Sequence, residues 1–520
     1  MREVTKESVP FTAAPSLRDT AGMAAALEAA RKAQAAWAAM PYRERARRLR
    51  LAGTFMSGHI DAIIGAIHRD NGKLPLDALA AELLPAFMSL DYYIRHGKRF
   101  MRPQALGGGN LLMFNKRSAL VYRPYGVVGI ISPWNYPFAI PFSEVVMALL
   151  AGNAVILKVA SVTPGVGAAL AAIFAAAELP AGLFTWAGIP GKEAGPAFIA
   201  SGMDKLFFTG STATGRELMA LAAPRLLPLV LELGGADAAI ICEDADLDRA
   251  ALGILWSGYS NAGQSCGGAQ RILVHQAVYE PFLEKLCALV KALRPGADLG
   301  PMTTVNQKRS VEKAVEASLA AGAVVAARSP DYIPEPGDPF ADRYLSALVL
   351  TLPPGAPAGT AAPVITDEVF GPVTVVIPVK DDEEALRKAN ESSYGLTGSV
   401  WSRNRRRARL LAARVNAGAV MINDHLMSHG LAETPWGGFG DSGLGRTHGS
   451  LGFREMLKAQ VVVDDILPGA KRELWWQPYS AKVYQGIRAI TEFLGGPSLA
   501  SRIGAIPGVL RIVGRYWSKK

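Results

Sequence analysis

Short apolar runs rich in β-branched residues alternate with helix-like stretches from residue 126 onward. The runs interpreted as strands are Val127–Ile131, Ala154–Val159, Leu183–Ala187, Lys205–Phe208 and Pro228–Leu231. This alternation is typical of βαβ units, whose strands pair in parallel. A second segment of the same kind follows residue 266, with a helix near 306–321 and strands expected at Arg271–Val274, Leu348–Leu350, Val373–Val379 and Ala419–Ile422. The chain is therefore expected to be an α/β protein with parallel sheets.

A chain of 520 residues is too long for one compact core, so two or three domains are expected. Its 50% hydrophobic content, 53 glycines and 34 prolines suit a loop-rich enzyme and argue against a fibrous or disordered chain. The three cysteines are too few and too scattered for a disulfide framework or a metal cluster. The sequence has no signal-peptide core and no uncharged run of membrane-spanning length, so a cytoplasmic protein is expected. No metal site is expected.

The net charge of +10 is concentrated near the C-terminus. Residues 471–520 contain nine Lys or Arg and two Glu, which gives +7 and leaves +3 for residues 1–470. The body of the chain is thus nearly balanced, and no nucleic-acid partner is expected.

Cys266 lies in the glycine-rich stretch Gly263-Gln264-Ser265-Cys266-Gly267-Gly268. A helical pattern begins at Asp246, and Gly263 is expected to end that helix. The small neighbours would let a substrate approach the sulfur, whereas Cys242 lies in an apolar run and is interpreted as a packing residue. On its own this loop leaves two interpretations open, a reactive nucleophile or an incidental thiol.

Unusual residues follow the predicted strands, where ligand sites form in open α/β sheets. Lys158 ends the second strand, and Gly210-Ser211 leads from the fourth strand into a helix whose N-terminal N–H groups favour a phosphate. The sequence here matches neither a Walker A motif nor the G-x-G-x-x-G fingerprint. By itself the loop is a weak indication of a nucleotide.

Six motifs in a fixed order resemble those of the aldehyde dehydrogenase superfamily. They are Pro133-Trp134-Asn135-Tyr136-Pro137, the strand end at Lys158, Phe208-Thr209-Gly210-Ser211, Leu231-Glu232-Leu233-Gly234-Gly235, Gly263-Gln264-Ser265-Cys266 and Glu368-Val369-Phe370-Gly371-Pro372. The resemblance covers about residues 20–467, and Glu232 stands 34 residues before Cys266, as is usual for the family. It implies a Rossmann-like dinucleotide-binding domain, an α/β catalytic domain and a small β oligomerisation element.

The resemblance implies NAD(P)-dependent oxidation of an aldehyde to a carboxylic acid. Cys266 would attack the aldehyde carbon, and the Asn135 amide with the Cys266 N–H would bind the oxyanion. Glu232 would be the general base that activates water against the thioester. Outside this set of motifs, Glu232 would be interpreted as a strand-end charge and Asn135 as a turn residue.

Further positions carry over from the family. Lys158 would bind the adenosine ribose, Gly191 and Gly195 would shape the nucleotide cleft, Ser211 would contact a pyrophosphate oxygen, and Glu368 with Phe370 would hold the nicotinamide ribose. The remaining cofactor positions are Trp134, Ser161, Gly210 and Gly234. The expected substrate pocket consists of Tyr136, Ser143, Ser265, Gly267 and Trp436.

Two departures from the family pattern bear on specificity. Ser161 stands where strongly NAD-preferring relatives commonly have a Glu, so NADP is expected to be accepted and can be the preferred cofactor. Ser143 stands where many relatives have a bulky aromatic residue, and Trp436 is expected to form a wall instead. A wide apolar tunnel for medium or long apolar aldehydes follows, while succinic semialdehyde stays open because no arginine for its carboxylate is evident.

The expected domain boundaries are 1–107 with 126–235 for the dinucleotide-binding domain and 236–450 for the catalytic domain. Residues 108–125 and 455–467 would form the oligomerisation element, whose unpaired edges predict a homodimer or homotetramer. Two other functions remain as alternatives. One is a CoA-acylating or thioester-hydrolysing enzyme, against which Glu232 argues, and the other is a catalytically idle membrane-surface protein.

Residues 468–520 form an extension on which the resemblance is largely silent. Three tryptophans, three tyrosines and the basic residues suit the interface of an anionic membrane, which predicts peripheral membrane contact through 471–520. Packing on a partner subunit or over the substrate mouth is the alternative, and it is slightly favoured because Pro497, Gly504, Pro507 and Gly508 interrupt a long amphipathic helix.

Overall fold

The computed structural model describes residues 11–107, 113–352 and 362–518. The chain divides into two compact units, one formed by Met1–Arg102 with Tyr122–Lys458 and one by Pro103–Val121 with Ala459–Lys520. Residues 108–112 of the expected oligomerisation element lie outside the described residues.

Helices occur throughout the described residues. The α-helices are α1 (Met23–Ala39), α2 (Tyr42–Ser57), α3 (Ile60–Asn71), α4 (Pro75–Ala78), α5 (Leu84–Phe100), α6 (Ala139–Ala151), α7 (Pro164–Ala176), α8 (Gly191–Ser201), α9 (Thr212–Ala222), α10 (Leu247–Tyr259), α11 (Tyr279–Lys291), α12 (Val305–Ala320), α13 (Pro363–Thr366), α14 (Asp382–Asn390), α15 (Arg405–Ala412), α16 (Met427–Gly430), α17 (Gly449–Glu455), α18 (Ala481–Gly495) and α19 (Leu499–Val513). A π-helical turn covers Leu79–Leu83, and 3₁₀ turns cover Ala223–Arg225, Ser260–Gly263, Gln276–Val278, Ala341–Arg343 and Gly514–Trp517.

Strands occur in both units. They are β1 (Gln104–Leu106), β2 (Lys116–Pro124), β3 (Val127–Ile131), β4 (Ala154–Lys158), β5 (Phe184–Trp186), β6 (Lys205–Thr209), β7 (Leu229–Glu232), β8 (Asp237–Ile241), β9 (Ala269–His275), β10 (Val324–Arg328), β11 (Leu348–Thr351), β12 (Val373–Val379), β13 (Tyr394–Gly395), β14 (Thr397–Trp401), β15 (Ala419–Ile422), β16 (Phe439–Gly440), β17 (Gly443–Leu444) and β18 (Leu457–Asp465).

The first large sheet has the strand order β17-β7-β6-β3-β4-β5. Its five strands from β3 to β7 pair in parallel, as the sequence predicts, and only β17 is antiparallel to its neighbour β7. Every residue of β4 is buried, as expected for a parallel strand covered on both faces. The predicted strand positions are confirmed to within one or two residues.

The second large sheet has the order β10-β11-β12-β9-β8-β14-β15. All neighbours pair in parallel except the antiparallel edge strand β10. The expected strands at β9, β11, β12 and β15 are present, and the predicted helix near 306–321 is α12. The predicted α/β class is confirmed.

The start of α7 is capped by a residue from another helix. Thr163 and Pro164 occupy the N-cap and first helical positions, as their residue types indicate, but the Thr163 side chain makes no capping bond. Asp70 on α3 instead accepts hydrogen bonds from the Gly165 and Val166 N–H groups at 3.2 and 2.8 Å. A residue nearly a hundred positions away therefore caps this helix.

The two large sheets meet at the ends where the sequence motifs lie. In the first sheet, four parallel strands are consecutive neighbours, in the order β4, β3, β6 and β7. The chain therefore leaves the sheet at one common edge, after Lys158, Ile131, Thr209 and Glu232. Only residues 233–236 separate β7 from β8, which carries the chain into the second sheet. The carboxyl ends of the first sheet therefore face the amino ends of β8 and β9, which is where Cys266 lies.

The second unit contains a three-stranded sheet in the order β1-β2-β18 and the helices α18 and α19. The residues after 467, which were expected to form a C-terminal extension, belong to the same compact unit as this sheet. Lys116 in β2 forms ion pairs with Asp465 at 2.8 Å and with the nearly buried Glu473. The strand β18 is exposed along nearly its whole length, and its edge matches the prediction of a homo-oligomer, which stays a prediction.

A buried ion pair fixes the segment that precedes α6. The Lys73 ammonium donates to Glu82 Oε1 at 2.5 Å, and neither side chain has exposed surface. Lys73 also donates to the Asn135 carbonyl oxygen at 2.7 Å. The second Glu82 oxygen accepts hydrogen bonds from the Phe138 and Ala139 N–H groups at 2.8 and 2.9 Å, which caps α6. One pair thereby holds both ends of the Asn135–Ala139 segment.

Removing one partner of this pair should destabilise the protein strongly. We expect Lys73→Met to lower the free energy of unfolding by about 3–5 kcal/mol, because Glu82 keeps a buried charge without its counter-ion. The double variant Lys73→Met/Glu82→Gln should recover much of that loss, since the neutral amide oxygen still accepts from the start of α6.

Chemical denaturation of the variants measures both effects. The matched control is Lys192→Met, which removes an exposed lysine at the start of α8. A loss for Lys73→Met no larger than the loss for Lys192→Met would contradict the interpretation of the buried pair.

Candidate active site

The loop that carries Cys266 is held in an unusual backbone conformation. Helix α10 ends at Tyr259, four residues before the glycine expected to stop it, and a 3₁₀ turn follows. Asn261, Ala262 and Gly263 all have positive φ, at 53°, 54° and 69°. Such a run is costly for residues with a Cβ atom, and strain of this kind clusters at functional sites.

Two of these residues show why the conformation persists. The Asn261 amide donates to the carbonyl oxygens of Asn135 and Gln264 at 3.0 and 3.1 Å. A Cβ atom at Gly263 would lie 2.1 Å from the Gly371 carbonyl oxygen, so only glycine fits there. The strained turn is thus fixed by the segments before α6 and before β12.

Asn135 is buried beside the loop that carries Cys266. Its side-chain amide donates to the Gln264 carbonyl oxygen at 3.1 Å, two residues before Cys266. Its backbone carbonyl oxygen accepts from Lys73 and from Asn261. Asn135 therefore contacts the loop that carries Cys266, and Lys73 fixes the Asn135 backbone by a hydrogen bond. The sequence analysis did not single out Lys73.

Glu232, at the end of β7, is buried and neither of its carboxylate oxygens has a hydrogen-bond partner among the described residues. Burial raises the pKa of Glu232 well above its usual value, and the carboxylate of Glu144 raises it further, whereas Arg446 lowers it. Burial also raises the pKa of Glu144, on α6, to about 8. The resting site therefore favours an uncharged Glu232.

Cys266 and the segment after Glu232 are in direct contact. A Cβ atom at Gly235 would lie 2.4 Å from the Cys266 carbonyl oxygen, so glycine is required for this approach. Burial raises the pKa of the Cys266 thiol, and the nearby carboxylates of Glu368, Asp237 and Glu232 raise it further. The resting sulfur is therefore a thiol, and forming a thiolate requires a proton acceptor or a nearby positive charge.

Lys158, Ser161 and Gly191 lie together. The buried Lys158 ammonium donates to the Val159 carbonyl oxygen at 2.6 Å and to the Ser161 hydroxyl at 3.2 Å. Burial lowers the pKa of Lys158 to about 8. A Cβ atom at Gly191 would meet only the Ser161 hydroxyl, 4.0 Å away, so open space remains between α8 and the end of β4.

Ser211 is the N-cap of α9, where its hydroxyl accepts from the Thr214 N–H at 3.3 Å. The Gly210 N–H donates to the Glu232 carbonyl oxygen at 3.0 Å, which joins the ends of β6 and β7. Gly195 lets α8 approach α9, because a Cβ atom there would lie 2.5 Å from the Leu218 side chain. An exposed helix start of this kind suits a phosphate group.

Glu368 reaches the loop after β7. Its carboxylate accepts from the Gly235 N–H at 3.1 Å, and a Cβ atom at Gly234 would lie 2.3 Å from it. Burial raises the pKa of Glu368 to about 7. Phe370, which has a φ of 54°, makes an edge-to-face contact with Trp134 at a ring separation of 5.4 Å.

These residues fit a nicotinamide dinucleotide. Lys158 ends β4, the start of α9 follows β6, and Glu368 precedes β12. They occur along the chain in the order that the sequence analysis assigned to ribose, pyrophosphate and nicotinamide ribose. Among residues 11–107, 113–352 and 362–518 there is no group of three or more His, Cys, Asp or Glu that could hold a metal ion.

A cavity of about 760 Å³, including its open mouth, reaches Cys266. Of the five expected pocket residues, Tyr136, Ser265 and Trp436 line it. Ser143 lines a smaller neighbouring cavity with His429 and His448. Gly267 lies under Trp436, where a Cβ atom would be 2.8 Å from the indole ring.

The sequence analysis missed most of the cavity wall. The additional lining residues are Asp77, Ala80, Ala81, Pro85, Trp256, Ser260, Asn261, Leu426, Met427, His429 and Gly430. Part of this wall is the π-helical turn Leu79–Leu83, a feature that often marks functional sites. A lone Glu82 within an Ala/Leu-rich run is the sequence signal that could have drawn attention to this segment.

Cys266 lines the cavity, the Asn135 side chain donates to the loop that carries Cys266, and the segment after Glu232 approaches the Cys266 carbonyl oxygen. The arrangement combines a sulfur nucleophile, an amide donor and an unpartnered carboxyl group. These are the groups that covalent acyl chemistry requires.

Comparison with known proteins agrees with this arrangement. The family model described as "Aldehyde dehydrogenase family" matches residues 10–462. A 4,4'-diapolycopene aldehyde oxidase from Methylomonas sp is 33% identical, over 90% of this chain and 86% of that protein. A Mycolicibacterium smegmatis protein with the provisional name succinate-semialdehyde dehydrogenase [NADP(+)] is 35% identical, over 85% of this chain and 84% of that protein.

A solved structure of an aldehyde dehydrogenase from Bacillus cereus in complex with NAD+ superimposes with a TM-score of 0.79 at 30% identity, covering 86% of this chain and 89% of that one. The chain therefore belongs to the aldehyde dehydrogenase family and is an NAD(P)-dependent aldehyde dehydrogenase.

Proposed function

We propose that this enzyme oxidises medium or long apolar aldehydes to carboxylic acids through an acyl intermediate on Cys266. The observation that carries the proposal is the convergence of Asn135 and the Glu232–Gly235 segment on the Cys266 loop. The Gly235 backbone approaches the Cys266 carbonyl oxygen closely, and the cavity reaches Cys266 itself.

In the proposed reaction the Cys266 thiol gives its proton to the carboxylate form of Glu232, which passes it to solvent, and the resulting thiolate attacks the aldehyde carbon and forms a thiohemiacetal. The Asn135 amide, with the Cys266 N–H, donates to the oxyanion. As the C=O bond re-forms, the aldehyde hydrogen leaves with its electron pair and a thioester remains. Bound NAD or NADP supplies the hydride acceptor.

Glu232 completes the cycle as general base. It removes a proton from a water molecule, which attacks the thioester, and the carboxylic acid leaves as Cys266 recovers its proton. An acylating enzyme that hands the acyl group to CoA has no need for this base. The buried and unpartnered Glu232 therefore favours hydrolysis.

The cavity favours an apolar substrate. Ala80, Ala81, Pro85, Met427 and Trp436 supply much of its wall, and no Lys or Arg is among the lining residues that the structure describes. Burial lowers the pKa of His429 to about 4, so this residue is uncharged near neutral pH. A succinic semialdehyde carboxylate would thus meet no positive charge and would face Asp77.

Of the two aldehydes in the names of the relatives above, a diapolycopene aldehyde suits this apolar cavity better than succinic semialdehyde does. The first is a long apolar polyene, and its burial is favoured by the hydrophobic effect. We infer that the natural substrate belongs to this apolar class.

A panel of acetaldehyde, hexanal, decanal and succinic semialdehyde tests the proposal by NAD(P)H production. We expect kcat/KM to rise at least about tenfold from acetaldehyde to hexanal, since each buried methylene contributes about 0.8 kcal/mol. Cys266→Ala should abolish turnover, and added CoA should leave the rate unchanged. Equal activity across chain length, or a preference for succinic semialdehyde, would contradict the substrate assignment.

We further propose that NADP is accepted and preferred. Lys158 contacts only oxygens of Val159 and Ser161, and no carboxylate contributes to its lowered pKa. A 2′-phosphate beside Lys158 would favour the charged ammonium and would meet no repelling carboxylate.

Replacement of Ser161 tests the cofactor proposal. Ser161→Glu should lower the ratio of kcat/KM with NADP to that with NAD by at least about tenfold, because like charges repel. Ser161→Gln, of similar size and neutral, should leave the ratio much closer to that of the parent enzyme. A parent enzyme that prefers NAD would contradict the proposed preference, and a hundredfold NAD preference would also contradict the acceptance of NADP.

The proximity of Glu144 to Glu232 predicts a specific pH effect. A negative charge on Glu144 raises the pKa of Glu232, whereas Arg446 lowers it and Glu455 raises it slightly. The rate should rise with pH as Glu232 loses its proton. In Glu144→Gln the raising charge is gone, so the rise should occur at lower pH.

The pH dependence of kcat for the two enzymes measures this shift. Glu217→Gln, on the exposed side of α9, is the control and should leave the profile unchanged. A rise that stays in place or moves to higher pH in Glu144→Gln would show that the two carboxyls are not coupled in this way.

A further inference from the structure

The helices α18 and α19 form a hairpin that packs through small residues. A Cβ atom at Gly486 would lie 2.5 Å from the Ile512 side chain, and one at Gly508 would lie 2.4 Å from the Ala489 Cβ. The two helices therefore approach closely along this line. The buried residues Val483, Ala489, Ala505 and Ile512 face one another within the hairpin or against the rest of its unit.

The opposite side of α19 carries an apolar stripe that is open to solvent. Leu499, Ile503, Ile506 and Leu510 are exposed by 75%, 56%, 38% and 67%. Their spacing of i, i+4, i+7 and i+11 places them on one face of the helix. A helix face that is exposed to water normally carries polar residues at these positions. An exposed apolar stripe of this kind therefore indicates an interaction surface.

Exposed aromatic side chains lie in the segment before α18 and after the end of α19. Trp475, Trp476, Tyr479 and Trp517 are all exposed. Arg515 donates to the carbonyl oxygens of Trp476 and Pro478, which brings the segment before α18 to the end of α19. Tryptophan and tyrosine with one apolar and one polar side are typical of the interface between lipid and water.

The charge of this region is positive and largely uncompensated. Its two acidic residues are already engaged, Glu473 with Lys116 and Glu492 with Arg488. Lys482, Arg502 and Arg511 form no ion pair with any residue that the structure describes. Arg502 and Arg511 lie on either side of the apolar stripe, where their head groups could reach phosphates while the stripe enters an apolar layer.

We propose that the α18–α19 hairpin, with the stripe on α19 as its inserted face, is a docking surface for an anionic lipid bilayer. The positive charge is complementary to anionic head groups, whereas a second copy of the same surface would bring like charges together. No helix in the described parts of the chain is long and apolar enough to cross a membrane, so contact through the stripe would be interfacial. The proposal rests on this region alone and is independent of the assigned reaction.

Co-sedimentation of the full-length enzyme with vesicles tests the proposal. We expect binding to vesicles of phosphatidylcholine with phosphatidylglycerol, weaker binding at high salt, and little binding to phosphatidylcholine alone. Leu499→Gln/Ile503→Gln/Leu510→Gln should abolish binding. Leu226→Gln/Ile333→Gln/Leu410→Gln, which replaces three comparably exposed apolar residues elsewhere, should leave it intact.

A charge variant gives a second readout that leaves the stripe unchanged. Arg502→Gln/Arg511→Gln should weaken binding by roughly 30-fold, from about 1 kcal/mol per basic residue. Equal sedimentation of the parent and the stripe variant would overturn the proposal. A stripe variant that dissociates the oligomer in light scattering while vesicle binding persists would do the same, because it would identify the stripe as a contact between copies.

Discussion

The chain passes from one parallel sheet to the next within residues 233–236, and the placement of the reacting groups depends on this crossing. The carboxyl ends of the first sheet supply the segments of Asn135, Lys158, Ser211 and Glu232. The amino ends of β8 and β9 bring the loop of Cys266 against the same edge. The contact is so close that Gly235 admits no Cβ atom beside the Cys266 carbonyl oxygen.

Burial is the second constraint, and it governs the charge of the resting site. Glu232, Cys266 and Glu368 all have raised pKa values, because each is removed from water with few compensating positive charges. Burial therefore favours the uncharged carboxyl of Glu232 and the thiol form of Cys266. The ion pair of Lys73 and Glu82 is buried as well, and Lys73 also donates to the Asn135 carbonyl oxygen.

The sequence predicted the parts of this protein that depend on local pattern. Apolar runs located β3 to β7 to within a residue or two, and linear motifs identified the segments that meet at the cavity. Contacts between distant residues could not be predicted. Asp70 caps α7, Lys73 holds Asn135, and the π-helical turn Leu79–Leu83 forms a wall of the cavity, although none of them lies in a recognisable motif. Ser143 lines a small cavity that shares Pro85, His429 and Gly430 with the cavity that reaches Cys266, so its expected place in the substrate pocket stays a prediction.

The proposed mechanism depends on a covalent acyl intermediate on Cys266 and on Glu232 as the general base for its hydrolysis. Mass spectrometry of Glu232→Gln after mixing with hexanal and NADP tests this directly. The account predicts that the acyl adduct accumulates on the peptide that contains Cys266, with a burst of NADPH equal to the number of active sites and little turnover afterwards. Steady turnover at the parent rate without an adduct would contradict the role of Glu232, and an adduct on another residue would contradict the role of Cys266.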